Sequence, residues 1–280
     1  MGIGKFNIKQ IPESDVLLLE SLYCLPFAKK YKKSHPNCKI ISLIADTSFW
    51  NKKLTVARRL FYKLYLDSVD GFVVVSERIK DDAMKVSAKP TVVVRPFLVN
   101  KYAVKNRKFG KKLLFVGNAT EEKGFAKAVE AVKSLPEFDL YLVGSCYKKI
   151  SRSESKNKNI HIEGVVASLK RYFEKCTYYT HPADFDPSPV TVWEAMYAGL
   201  LPVITKNVGQ AELFSGVLKR LVLLDNDPMT IASKLEELDK TSDRNKRALI
   251  SACKKLASRY VENKSVPEFK RAFAKLIALS

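Results

Sequence analysis

Short apolar runs alternate along this chain with stretches whose apolar residues recur at helical spacing. The runs fall at Asp15–Glu20, Lys39–Ile44, Gly71–Ser76 and Thr91–Val94, then at Lys112–Val116, Asp139–Val143, His161–Ile162, Tyr178–His181, Leu201–Thr205 and Leu221–Asp225. KIISLI, GFVVVS and KLLFV are apolar almost without interruption rather than at every second position. A strand with one wet face alternates, whereas a strand covered by helices on both faces need not. Such runs, separated by helical patterns throughout, predict a doubly wound α/β architecture with parallel sheets.

The pattern breaks at Lys101–Lys112 (KYAVKNRKFGKK), which is basic, poor in apolar residues and contains Gly110. A domain boundary is expected there. Residues 1–108 then form a Rossmann-like first domain with four runs, and residues 109–264 a larger one with about six. Residues 265–280 read as a closing helix with Pro267 near its first turn. Phe269, Phe273, Leu276 and Ile277 share one face of it, suited to packing back on the first domain.

Charge changes the picture more than size does. The chain has 280 residues, of which 49 are Lys or Arg and 29 are Asp or Glu, for a net charge of +20. That excess calls for an anionic partner: nucleotide phosphates, nucleic acid or an acidic membrane surface. With 46% hydrophobic and 28% charged residues, disordered and fibrous classes are excluded. A chain of this length buries about 75% of its unfolded surface without staples. No apolar run approaches the ~18–20 residues of a membrane span. Met1-Gly2-Ile3-Gly4-Lys5 opens no signal peptide, and Asn7 stands where a myristoylated Gly2 would want Ser or Thr. Cys24, Cys38, Cys146, Cys176 and Cys253 are odd in number and form no C-x-x-C pair. They predict reduced thiols in a cytoplasmic protein, without zinc.

The most informative stretch is His181–Thr205, HPADFDPSPVTVWEAMYAGLLPVIT. Ser188 suits an N-cap, Pro189 the first helical position and Gly199 the residue past the end. A short helix over about Pro189–Ala198 would point its N-terminus at the crevice above the strand ends. The amides of Val190 and Thr191 would make that end an anion site, with Glu194 one turn further in to accept ribose hydroxyls. An ordinary capped helix explains the same residues. A second segment, KLLFVGNATEEKGFAKAVEAV from Lys112, runs a buried strand into Gly117, where the backbone can be approached closely. Lys123-Gly124 then opens a helix, and Lys123 is a flexible charge suited to a diphosphate. Neither G-x-G-x-x-G nor G-x-x-x-x-G-K-S/T is present. A lysine at such a junction is also commonly just solvated.

Together the two segments resemble the retaining, nucleotide-sugar-dependent glycosyltransferases of GT-B fold, family four (group one). That family carries strand–Gly–Arg–loop–Lys–Gly–helix and later a Glu-x7-Glu motif running into E-A-M-A-x-G-x-P-V-I. Here Asp186 and Glu194 have seven residues between them, and E-A-M-Y-A-G-L-L-P-V-I follows. Ile162-Glu163-Gly164-Val165 and, more loosely, Asp70–Phe97 extend the likeness. The resemblance implies two Rossmann-like domains facing a central cleft, the first one reduced. It implies transfer of a sugar, with retention and without a metal, from a UDP- or GDP-linked donor as co-substrate. The acceptor would be saccharide, lipid-linked or protein. Lys123 would bind the donor diphosphate and Glu194 the ribose. Asp186 would hold hydroxyls of the transferred sugar, the Val190 and Thr191 amides the distal phosphate, and Val165 after Gly164 would lie beside the base. Gly117 and Asn118 belong to the same phosphate-side loop. Fixed donors of this kind stabilise the charge of a departing nucleoside diphosphate.

Several positions depart from that pattern. Asn118 stands where the family has Arg, Asp186 is one methylene shorter than Glu, and Pro189 offers no amide. No glycine-rich loop follows an initial strand, and Ala45 replaces a common histidine. Asp46 is assigned to the acceptor side, with a turn-capping role as its alternative. These departures motivate a rival reading as a catalytically silent nucleotide-sugar-binding protein.

Asp184-Phe185-Asp186 and Asp225-Asn226-Asp227 formally match the metal-binding D-x-D of other transferases. The Glu-x7-Glu-like frame favours a metal-independent reading instead. His35, His161 and His181 fit no ligand spacing and read as structural or exposed, and Cys24 and Cys176 lack a convincing histidine partner in sequence, so a cysteine nucleophile is not expected. Lys29–Lys33 and the helix expected at Asn51–Asp67 concentrate positive charge. The latter would turn Leu54, Ala57, Phe61, Leu64 and Tyr65 inward beside Lys52, Lys53, Arg58, Arg59 and Lys63. Its basic face is either simply solvated or a peripheral contact with anionic lipid. Nucleic-acid binding, including a DNA-modifying transferase, is the remaining class, though no such signature accompanies the charge.

Overall fold

The computed structural model describes residues 11–50, 54–104, 107–145 and 157–280. The opening Met1–Asn7, Lys52, Lys53 and Cys146 lie outside the described residues. The chain divides into two compact units, Met1–Arg95 with Ser265–Ser280, and Pro96–Lys264.

In the first unit the expected runs become β1 (Val16–Leu19), β2 (Lys39–Ile44), β3 (Gly71–Val74) and β4 (Thr91–Val93), with α1 (Leu25–Ser34), α2 (Val56–Tyr65) and α3 (Glu77–Met84) between them. The four strands form one parallel sheet in sequence order. Successive residues of a strand point to opposite faces, and both faces are apolar here. On one face Phe49 meets Tyr62 and Phe72 edge-on, at centroid distances of 5.4 and 5.7 Å. On the other, Ile41 and Val73 pack with Leu276 of the closing helix, α9 (Glu262–Leu279), joined by Phe269 and Phe273. Gly71 makes that contact possible: a Cβ there would sit 2.8 Å from Leu276 Cδ1.

Two helices differ from expectation. α9 begins at Glu262, so Pro267 lies inside it and removes one amide rather than opening the first turn. α2 starts where the Thr55 hydroxyl accepts the Arg58 amide, and its buried residue is Tyr62, whose hydroxyl donates to the Ser48 carbonyl at 2.8 Å. Ala57 and Leu64, expected inside, are exposed. A face judged from spacing alone was turned by one residue because Tyr62 brings both a ring and a satisfied hydroxyl.

The second unit contains β5 (Lys112–Val116), α4 (Phe125–Lys133), β6 (Asp139–Val143), β7 (Ile160–Gly164), α5 (Lys170–Lys175), β8 (Tyr178–His181), α6 (Val190–Ala198), β9 (Leu201–Thr205), β10 (Val222–Leu223), α7 (Pro228–Asp239) and α8 (Asp243–Ala257). Its parallel sheet has the order β10-β9-β8-β5-β6-β7. The chain starts at β5, winds outward through β6 and β7, then returns to β8 on the other side and winds outward again. The order reverses between β5 and β8, and that switch point is where open α/β sheets bind ligands.

The basic segment expected as a boundary at 108/109 belongs to the second unit. Leu98 bridges to Val261, and buried Arg107 donates to the carbonyls of Phe173 (2.6 Å), Ala198 (2.9 Å) and Cys176. Those carbonyls close α5 and α6, where a cation is favoured and otherwise orphaned acceptors need donors. Burial lowers Arg107 to about 10, so it stays charged at neutral pH. Among the described residues no helix is long and apolar enough to cross a membrane.

Candidate functional site

β5 and β8 end side by side, so the loops that follow them meet. After β5 the Gly117 amide donates to the Val143 carbonyl at 2.9 Å and the Ala119 amide to Ser145 at 3.0 Å. The glycine this approach requires is Gly144, at φ 139°, where a Cβ would stand 1.9 Å from the Gly117 oxygen. On Gly117 itself a Cβ would meet only the Phe115 ring, at 3.5 Å. Asn118 accepts from the Ser145 hydroxyl at 2.6 Å. Gly124, at φ 74°, lets the turn pass so close to Pro182 that a Cβ would lie 2.0 Å from its carbonyl oxygen. The Asp184 amide donates to the Glu122 carbonyl at 2.9 Å.

This stitching delivers Lys123 to Asp186. The lysine Nζ bonds Asp186 Oδ2, and His181 Nε2 reaches the same oxygen at 2.7 Å. Asp186 is fixed through its backbone as well, its amide donating to Asn207 and its carbonyl accepting from Gly209. Burial works against the Asp186 charge, but His181 and Lys123 outweigh it and hold the carboxyl below its ordinary range. His181 Nδ1 lies 3.5 Å from the Tyr179 hydroxyl, which in turn lies 2.8 Å from the Thr191 hydroxyl in the first turn of α6. Lys123 and Asp186 are thereby brought together, with Thr191 linked to Asp186 only through Tyr179 and His181.

α6 begins one residue later than expected. Pro189, at ψ 118°, is itself the cap residue, and no side chain caps the helix. Ser188 instead accepts from Gln210 Nε2 at 3.2 Å, while the same nitrogen donates to the Pro189 carbonyl at 2.9 Å. The Val190 and Thr191 amides occupy the first turn, where a helix supplies no acceptor of its own. Gly199 closes α6 in the left-handed region at φ 88°, as expected. One turn in, buried Glu194 receives on Oε1 both the side-chain amide of Asn100 (2.9 Å) and its backbone amide (3.3 Å). Burial raises the Glu194 carboxyl above its ordinary value, and the two Asn100 donors pull it partly back.

Val165 is exposed beyond Gly164 at the end of β7, the edge strand. Asp46 lies in the first unit, where its carboxylate accepts the Ser48 amide at 2.8 Å, the turn-capping alternative. The two D-x-D carboxylates do not converge: Asp184 accepts from Asn226 at 3.1 Å while Asp186 faces Lys123 and His181. In the second D-x-D, Asp227 caps α7 through the Met229 amide at 2.8 Å. Cys176, buried at the end of α5, has its thiol pushed up to about 12 by burial, which suits packing and not nucleophilic attack.

His35 stacks on Tyr31 at 4.2 Å and His161 on Tyr141 at 4.5 Å, the structural roles expected of them. His181 is different: it fits no metal-ligand spacing, yet it bonds Asp186. Its place at a strand end, five residues before Asp186, was the signal. Asn100 was missed because it is remote from Glu194 in sequence.

The model of the family described as glycosyl transferases group 1 matches residues 100–255. Among solved structures, HepE from Anabaena in complex with UDP and glucose superposes at a TM-score of 0.77 with 14% identity, covering 95% of this chain and 78% of HepE. Sucrose-phosphate synthase from Thermosynechococcus elongatus does so at 0.79 with 16% identity, covering 95% and 74%. The pneumococcal O-GlcNAc transferase GtfA, in complex with UDP and GlcNAc, gives 0.71 with 14% identity, covering 89% and 55%. No curated protein sequence matches the chain. The family match spans more than half of the sequence and falls on the unit whose switch point gathers Lys123 and Asp186. On that ground the chain belongs to the glycosyl transferases group 1, and its fold is GT-B.

Proposed function

We propose that the protein transfers a sugar from a nucleoside-diphosphate donor, with retention of configuration and without a metal, to a saccharide, lipid-linked or protein acceptor. The observation that carries this is the meeting of Lys123 with Asp186 at the switch point, beside the uncapped first turn of α6. HepE and GtfA, which share the fold, were solved with UDP, and this supports a uridine donor with a guanosine one as the alternative.

In this reading Lys123 and the Val190 and Thr191 amides hold the diphosphate, where leaving-group charge grows as the glycosidic bond breaks. Glu194 takes the ribose through Oε2, since Asn100 occupies Oε1. Asp186 takes hydroxyls of the transferred sugar, Val165 lies against the base, and the Gly117-Asn118 loop lines the phosphate side with one charge fewer than an arginine would supply. Asp46 serves the acceptor side. Thermal-shift screening with UDP-, GDP-, ADP- and dTDP-sugars tests the donor. A donor at 100 times its Kd adds about 2.7 kcal/mol of stability. The donor that stabilises should also be turned over, and EDTA should leave that turnover intact. Tight binding without transfer or hydrolysis would replace the enzyme with a silent binding protein. Activity lost to EDTA and regained with Mn²⁺ would revive the D-x-D reading.

A second reading concerns place of work. α2 exposes Val56 by 84%, Leu60 by 57% and Leu64 by 51%, one above another on the helix. Arg59 and Lys63 lie alongside, while Arg58 turns back to the Tyr23 hydroxyl at 3.3 Å; exposed apolar residues flanked by cations are the composition of a helix resting on an anionic lipid surface.

A further inference from the structure

Asp186 has two partners on one oxygen, and they differ in freedom. Lys123 comes from a turn on a four-carbon stem with its side chain 35% exposed, while the side chains of His181 and Asp186 are 2% and 5% exposed. His181 ends the central strand β8 and lies parallel to the Phe115 ring at 5.9 Å and to the Tyr179 ring at 6.4 Å. It has no room to follow a ligand. Lys123 does.

A lysine that engages a diphosphate must leave, at least in part, the carboxylate it now neutralises. A carboxylate this deeply buried cannot turn to water, and a buried charge stripped of its partner is strongly unfavourable. Donor binding through Lys123 would therefore be opposed by the very aspartate meant to serve the sugar, unless a second donor remained in place. His181 is that donor, already 2.7 Å from the oxygen the lysine would vacate.

We infer that His181 is a positioning residue that stays on Asp186 and so frees Lys123 to move onto the donor diphosphate. This rests on the proposed role of Lys123 in holding that diphosphate. His181 touches neither phosphate nor sugar. Its effect is on what it costs Lys123 to let go, and the charged groups involved are Asp186 and, across it, Lys123. The ring's further neighbours are uncharged: Tyr179 from its own strand and Phe115 from β5, with Thr191 of α6 one hydrogen bond beyond Tyr179.

The test is a cycle of variants titrated calorimetrically with UDP and with GDP, which carry the diphosphate but no sugar. His181→Leu leaves Asp186 dependent on Lys123 and should weaken the nucleotide that wild type binds by at least about tenfold, ~1.4 kcal/mol. His181→Gln, whose amide reaches the position of Nε2, should stay within about threefold of wild type. Adding Asp186→Asn to His181→Leu removes the charge that detains the lysine and should bring affinity back to that of Asp186→Asn alone. A merely structural histidine would show no such recovery. If His181→Leu does not fold, His181→Asn, too short to reach Asp186, takes its place with the same expectation. Wild-type affinity in the histidine variant, or a double variant as weak as the single one, would overturn the inference. If neither UDP nor GDP binds the wild type, the donor-site reading itself falls and takes the inference with it.

Discussion

Glu194 shows how a buried carboxyl is held at the expense of stability. Its carboxyl is raised by burial, with the Asn100 donors offsetting part of the effect. A carboxyl raised in the folded state holds its proton more tightly there than in the unfolded chain. The native state then loses relative stability as pH climbs from the unfolded value through the folded one, and the full penalty stands at neutral pH. Glu194→Gln keeps an acceptor for Asn100 without the charge. It should be more stable than wild type at pH 7, with the difference vanishing below about pH 4. Denaturant unfolding at both pH values checks this, and the same variant should bind donor more weakly. On the proposed role of Lys123, Lys123→Ala should act on charge that peaks later along the reaction. Turnover should fall by ~10²–10³, as for the loss of one fixed donor at a developing anion, with a smaller change in donor affinity. Steady-state kinetics beside calorimetric Kd separates the two, and equal losses would mean that Lys123 acts only in the ground state.

At the scale of elements, short-range signals were legible wherever one residue type has one local use. Gly199 at the end of α6 is such a case. Ser188 is a good cap by composition, yet Gln210 from beyond β9 takes its hydroxyl and leaves Pro189 as the cap residue, with no side-chain cap. A competitor from another loop is invisible in a local window. The same limit applies to α2, whose apolar residues exceed what Tyr62 and its neighbours bury. If the exposed Val56, Leu60 and Leu64 rest on lipid, phosphatidylserine vesicles should co-sediment the protein at low salt and less at high salt. Replacing Arg59 and Lys63 by Ala should cost up to ~2 kcal/mol of that affinity, at about 1 kcal/mol for each cation near the surface. Donor binding should be untouched. Indifference of the wild type to such vesicles at low salt would make the face a solvated one.

For the molecule as a whole, the closing helix contributes to the core of the first unit. Leu276 fills the slot over Gly71 against Ile41 and Val73. Leu276→Ala should lower stability by about 2–5 kcal/mol, the range for a deleted core leucine, as read from denaturant unfolding. Gly71→Ala should also destabilise, because its methyl would need the place the leucine holds. Every strand core, the parallel architecture and the motif linking Asp186 to Glu194 could be read from the sequence alone. These depend on apolar content and on spacings of ten residues or fewer, which a linear pattern preserves. Tertiary structure alone decided that Pro96–Lys108 joins the second unit, that Asn100 holds Glu194, and that one oxygen of Asp186 serves both His181 and Lys123. Each of these pairs a buried polar group with a partner its own segment does not supply or its spacing does not announce. A buried charge or orphaned carbonyl must be satisfied by whatever the fold brings near, and which group that is depends on the order of strands in a sheet, not on the order of residues in a chain.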